Sequence, residues 1–241
     1  MTNTPFVLFG PSHIVALIVP FVLPLVVALI VKPLKHPQAD KWLRWAMGAA
    51  MTVNWASWML LLHGKGWLGV DNEFPLNLCD WATVATVVTL FRPNQRTYEL
   101  AYFWALAGTL QGMMTPDVVY DFPEIQFVLF FLFHGGIIAS VLYLTFGLKM
   151  RPTPASLPRA IGWTFVYVGV AGAFDWASGA NYGMLRMKPP FPTILDMMPA
   201  WPWYIGVLIA MGLASTLVYY APFFVADRIR AARRTTQPVS V

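Results

Sequence analysis

The sequence is poor in charge and nearly without cysteine. Asp, Glu, Lys and Arg make up 11% of its 241 residues, against 58% apolar residues. A soluble globular domain carries roughly 25% charge, so this chain has too little polar surface to face water on every side. The apolar runs follow one another from end to end, which leaves no room for a separate soluble domain. A single cysteine excludes an internal disulfide and leaves the redox compartment unread. Lys and Arg are absent from Met1 to Pro11 and no small-residue cleavage site follows, so the first apolar run is not expected to be a secretory signal. Internal repeats and low-complexity segments are absent too.

What the chain does have is a series of apolar stretches of membrane-spanning length, about 20 residues each. The expected fold is all-α: a polytopic membrane protein with a bundle of seven transmembrane helices. They fall near Ser12–Val31, Trp42–His63, Leu76–Phe91, Tyr98–Thr115, Ile125–Leu148, Ala160–Trp176 and Trp201–Ala226. Pro20 and Pro24 predict a kink in the first helix, whose freed backbone groups neighbouring helices can satisfy. Residues 1–227 form the membrane domain, and 228–241 form a basic, disordered tail that touches anionic lipid.

The net charge of +5 is topogenic rather than a nucleic-acid footprint, because the basic residues sit in short loops and the tail. Lys32, Lys35, Lys41, Arg44, Arg92, Arg96, Lys149, Arg151, Arg159, Arg228, Arg230, Arg233 and Arg234 fall on one side, thirteen of the sixteen Lys and Arg. Only Lys65, Arg186 and Lys188 fall on the other. Positive charge stays cytoplasmic, which puts the N-terminus outside and the C-terminus inside. Trp67, Trp201, Trp203 and Tyr204 read as anchors at the outer interface.

Polar residues within spans are costly and face the bundle interior. Counting from the basic flank at about 1.5 Å per residue, Cys79 lies about 20 Å up and His134 about 22 Å, with Gln111 and Asp175 at about 22–24 Å. His13 and His63 come at about 28 Å and Asn54 at about 15 Å on the same count. The expectation is a polar chamber in the outer half of the membrane. A cysteine in a helix is ordinarily a small apolar filler, and a histidine in an apolar run is ordinarily hydrogen-bonded packing. Together they suggest more, because a thiol becomes a nucleophile beside a base. Asp80, next to Cys79, either orients that base or caps the helix N-terminus. The proline-rich stretch with Pro189, Pro190, Pro192, Pro199 and Pro202 reads as an ordered lid over the chamber.

Several short motifs recur in order: Phe9-Gly10 with His13, Asn77-Leu78-Cys79-Asp80, Tyr102-Phe103-Trp104, Thr115-Pro116-Asp117, His134-Gly135-Gly136, Asn181-Tyr182 and Trp201-Pro202-Trp203-Tyr204. In this the chain resembles the bacterial YwaF-type integral membrane proteins. That family is similar to an animal acyltransferase that makes polyunsaturated ether phospholipids, and more distantly to the androgen-induced intramembrane hydrolases. The resemblance implies a working pair of Cys79 and His134 and a place in the bacterial cytoplasmic membrane.

The leading expectation is therefore a lipid acyltransferase or transacylase that works through a thioester on Cys79, or a hydrolase if water is the acceptor. Membrane phospholipids or lysolipids are its substrates, and the chemistry calls for no cofactor and no nucleic acid. Gln111, Asn77 or Asn54 could donate to the oxyanion, with His13, His63, Asp80, Asp175, Asn181 and Tyr182 completing the chamber. The runner-up is a zinc-dependent lipid hydrolase or amidase with His13, His63, His134 and Asp175 around the metal. A third class is a transporter, channel or receptor in which Asn54, Gln111 and Asp175 line a path. A retinal pigment is not expected, because the seventh helix has no lysine.

Overall fold

Backbone groups in hydrocarbon must satisfy one another, and a chain this apolar does so with helices. The computed structural model describes residues 4–34, 37–189 and 194–235. Among them the fold is all-helical apart from one isolated bridge between Pro5 and Tyr120.

Helix α1 spans Pro11–Leu34 and α2 Pro37–Lys65, both opening on proline, whose fixed φ suits the first helical turn. Helix α3 spans Leu78–Phe91. It ends where Arg92 precedes Pro93, since a residue before proline is driven out of the helical region. Helix α4, Gln95–Trp104, begins where the Asn94 side chain accepts the Arg96 N–H at 2.8 Å. It runs on through a π-helical turn, Ala105–Thr109, into α5, Leu110–Met114. Helix α6 spans Ile125–Phe146, α7 Ser156–Ser178 and α8 Trp203–Thr235, with short 3₁₀ turns at Tyr182–Met184 and Ile194–Met197.

Four of these are long and apolar enough to cross a membrane: Pro11–Ile30, Ile125–Phe146, Ser156–Ser178 and Trp203–Arg233. The other expected spans fall short for identifiable reasons. Helix α3 has 14 residues, about 21 Å at 1.5 Å per residue, against a hydrocarbon core of about 30 Å. Helix α2 keeps its charges near its ends, but Gly48, Thr52, Asn54 and Ser57 dilute the apolar stretch between them. The fourth rod is divided by its π turn.

Helix α1 runs unbroken through Pro20 and Pro24, and Pro20 is buried against Gly135 of α6, where an added Cβ would lie 2.8 Å from its ring. One other expectation changes. The basic end is not a disordered tail from residue 228, because α8 remains helical through Thr235. Lys35, Pro190, Pro192 and residues 236–241 lie outside the described residues, as do the side chains of Lys32 and Arg234.

The core lies where α4, the π turn, α3 and α6 meet, around Tyr98, Tyr102, Phe103, Trp104, Ile137 and Leu144. A second cluster joins α1, α5 and α6 through Met113, Phe127 and Phe131. A third, with Tyr167, Ala171 and Tyr182, holds α7 and the following loop against the start of α3.

One pole of the bundle is bound by paired charges. Arg159 makes a bidentate pair with Glu99, both bonds at 2.8 Å. Arg44 binds Asp40 at 2.9 Å and the Leu90 carbonyl at 2.6 Å, and Arg151 pairs with Asp227. At the other pole the loops are laced together: Asp71 accepts the Asn181 N–H at 2.9 Å and Asp175 accepts the Tyr182 N–H at 2.8 Å.

Candidate functional site

An apolar cavity of about 1080 Å³ opens between α8 and the rest of the bundle, walled by α2, α3, the π turn, α5, α6 and α7. Ligand cavities span roughly 300–1,000 Å³, so this one is large enough for lipid chains. Cys79, Asp80, Asn77, Gln111 and His134 all line it, with Thr164, Ser215 and Thr216 on the α7 and α8 walls.

Cys79 is the second residue of α3 and is half-buried and free. The positive end of the helix dipole lies at this turn, where any anion formed at the site would meet it. Asp80 takes the capping role of the two open to it, its Oδ2 accepting the Asn77 N–H at 3.0 Å. Asn77 in turn accepts the Gly183 N–H at 3.3 Å and ties the α7–α8 loop to the site.

His134 projects from α6 and stacks on Phe130, with ring centroids 4.1 Å apart. Its Nδ1 lies 2.9 Å from the Phe130 carbonyl. A carbonyl only accepts, so Nδ1 carries the proton and Nε2 is the basic nitrogen. Nε2 has no hydrogen-bond partner among the described residues and lies against Gly112, where an added Cβ would sit 3.6 Å from it.

Cys79 and His134 meet the same stretch of the fourth rod. The Thr109 hydroxyl lies beside the Cys79 thiol, and Gly112, three residues on, lies beside the His134 ring. Residues three apart share a helix face. Thiol and imidazole therefore flank one narrow face of small residues, and an added Cβ on Gly108 would fall 2.8 Å from Leu78. Both open to the cavity. No hydrogen bond joins them in this geometry.

The rest of the expected chamber does not assemble. His13 is fully buried with both nitrogens engaged: Nδ1 accepts the Phe9 N–H at 2.9 Å and Nε2 donates to the Met113 carbonyl at 2.8 Å. His63 is exposed at the end of α2. Asn54 is buried, its amide donating to the Leu129 carbonyl at 3.1 Å. Asp175, Asn181 and Tyr182 serve the loop: Tyr182 accepts the Phe74 N–H at 2.9 Å, and Asn181 binds the Met187 carbonyl at 2.9 Å. None of these six lines the cavity. His13 has no lone pair left for a metal, and no three His, Cys, Asp or Glu among the described residues could hold one. Of the residues offered as a solute path, only Gln111 lines the cavity.

The loop does cover the site, through Gly183, Met184, Leu185, Leu195 and Met198. Trp67, Trp201 and Trp203 are exposed, as anchors are, but Tyr204 is buried and its hydroxyl donates to the Met184 carbonyl. On the rim, desolvation lifts the Asp117 carboxyl above its ordinary value.

Sequence reasoning missed two residues near the first turn of α3. Thr109 and Tyr167 are buried, and their hydroxyls have no hydrogen-bond partner. Each sits in an apolar stretch that reads as packing, and no spacing rule reveals a π turn.

The family model that matches the chain is that of the TMEM164 family, over residues 8–220. This overturns the resemblance to the YwaF-type proteins and their ether-lipid relatives, which rested on short motifs within apolar helices. An uncharacterized protein of Treponema pallidum (strain Nichols) is 27% identical over 163 residues, 68% of this chain. The match covers 66% of that protein, so this chain spans just under two thirds of its length. No solved structure matches.

Proposed function

The chain belongs to the TMEM164 family, and from its own site geometry we propose that it is a membrane lipid acyltransferase acting through Cys79 and His134. One observation carries the reading: the thiol and a basic imidazole nitrogen flank the same small-residue face and open into one lipid-sized apolar cavity.

His134 Nε2 takes the Cys79 proton, across the groove after a side-chain rotation or through one water. The thiolate attacks the ester carbonyl of a phospholipid. A C–S bond forms and the carbonyl electron pair moves onto oxygen. Collapse restores the carbonyl and breaks the C–O bond, and the departing alkoxide takes the proton from the imidazolium. The products are a lysolipid and an acyl-Cys79 thioester. In the second half His134 deprotonates a lysolipid hydroxyl, which attacks the thioester; the C–O bond forms, the C–S bond breaks and the thiolate is reprotonated. Water in place of that hydroxyl makes the enzyme a hydrolase.

Seven spans are part of this proposal. With α4, the π turn and α5 taken as one rod, the long helices number seven. The ion pairs at one pole and the tied loops at the other favour spans that alternate in direction. The N-terminus is then outside and the C-terminus cytoplasmic by the distribution of Lys and Arg, in a bacterial cytoplasmic membrane. Short α3 is mostly buried in the bundle and turns Val84, Val88 and Phe91 outward.

The test is incubation of purified protein with diacyl phospholipid vesicles and a lysolipid acceptor. Acyl transfer, iodoacetamide labelling of Cys79 and a hydroxylamine-sensitive acyl adduct on Cys79 are expected. A Cys79→Ala protein that transfers acyl chains at the wild-type rate overturns the reading.

A further inference from the structure

A helical threonine has a standing partner, the carbonyl four residues back. Thr52, Thr83, Thr86, Thr89, Thr145 and Thr216 all bond that way, at 2.7 to 2.9 Å. Thr109 does not. It ends the π-helical turn, is 0% exposed, and has no hydrogen-bond partner, though it lies beside the Cys79 thiol. π turns concentrate at functional sites because they redirect side chains out of the ladder.

Tyr167 is the second such group. It projects from α7, is 4% exposed and lines the cavity, and its hydroxyl donates to no acceptor among the described residues. Its ring is fixed edge-on by Trp81, centroids 5.5 Å apart. The oxygen lies beside the Leu78 amide at the first turn of α3, one residue before Cys79. Gly183, at φ 60°, closes over it: an added Cβ there would fall 2.3 Å from the tyrosine oxygen. Only glycine leaves the hydroxyl its place.

Leaving one buried hydroxyl unmade is costly, and here two reach the first turn of α3 from different helices, Thr109 beside the Cys79 thiol and Tyr167 beside the Leu78 amide. We infer that the Tyr167 and Thr109 hydroxyls donate hydrogen bonds to the oxyanion that forms when a substrate acyl carbonyl adds to Cys79. The inference rests on the proposed acyl transfer and names the donors for it. Donors aimed at a developing oxyanion gain strength as charge moves onto oxygen, and need no reorganisation in a water-poor site. Of the earlier candidates, the Asn54 amide is already spent on the Leu129 carbonyl.

The experiment compares Tyr167→Phe, Thr109→Val and Thr109→Ser with Cys79→Ala, each in vesicles of diacyl phospholipid with a lysolipid acceptor. Tyr167→Phe is expected to lower kcat by about 10²–10³-fold, with KM within about threefold and Cys79 alkylation by iodoacetamide at the wild-type rate. Thr109→Val is expected to lower kcat as well, and Thr109→Ser to restore it. Wild-type kcat in Tyr167→Phe, or equal kcat in Thr109→Val and Thr109→Ser, overturns the donor assignment while an inactive Cys79→Ala preserves the acyl-transfer reading. Activity in Cys79→Ala overturns both. Should Tyr167→Phe fail to fold, the Thr109 pair decides.

Discussion

His13 and His134 are each packed among phenylalanines, but the two regions use the ring differently. Around His13 the rings of Phe6, Phe9 and Phe131 lie 5.2 to 5.5 Å away and both nitrogens are hydrogen-bonded. The imidazole there is a bracket that joins the segment before α1 to the end of α5. Around His134 one nitrogen is anchored on its own helix and the other faces a cavity. A buried polar atom with a partner is part of the structure; one without a partner, in a fold that fully satisfies the buried ring of His13, is held ready for something absent. Thr109 and Tyr167 extend the contrast, since both are buried and neither hydroxyl has an acceptor among the described residues.

The largest effect should come from the open ring. His134→Gln removes the base and should lower acyl transfer by about 10²–10⁴-fold. It gives up one hydrogen bond within α6, so the unfolding free energy should change by no more than about 1 kcal/mol. Transfer rates in vesicles and thermal unfolding in detergent measure the two sides. A His134→Gln protein with a normal rate would erase the distinction between the two rings.

His13→Ala should do the reverse. It strands the buried Met113 carbonyl and the part-buried Phe9 N–H, each costing about 1–3 kcal/mol, so a loss of at least about 2 kcal/mol is expected, and more once the vacated ring volume is added. The rate per folded molecule should stay within about threefold. A stable His13→Ala protein that cannot transfer acyl chains would make His13 part of the chemistry and break the comparison from the other side.

The sequence carries the helices because hydrocarbon leaves the backbone few alternatives, and the expected start of α6 at Ile125 is its observed start. It carries Cys79 and His134 onto one cavity because depth can be counted from the basic flank. Depth does not carry azimuth, however. Asp175 shares their level, yet its Oδ1 turns to the Tyr182 amide, and His13 turns into a cluster built from Phe6 and Phe9, before the helix begins. Tyr204 sits among tryptophans that face outward and is itself fully buried. The π turn that frees Thr109 leaves no mark in the Ala105–Thr109 segment, whose small residues suit an ordinary helix equally well.

The finest division runs through Asp80, which touches both sides of the comparison by lining the cavity while capping α3. Asp80→Asn separates the roles. The amide oxygen can still accept the Asn77 N–H, so the cap survives and stability should shift by only a few tenths of a kcal/mol, well under the ~1 kcal/mol of a lost cap. If capping is the whole of its work, transfer should fall by less than about threefold, because a charge beside the thiol is removed without moving the thiol. Asp80→Ala, which loses the oxygen, should then cost the full cap and slow transfer by loosening the first turn of α3, where Cys79 sits. A drop in Asp80→Asn as deep as that of His134→Gln, with unfolding unchanged, would mean that the carboxylate charge itself steers the base. Asp80 would then move to the reactive side of the molecule.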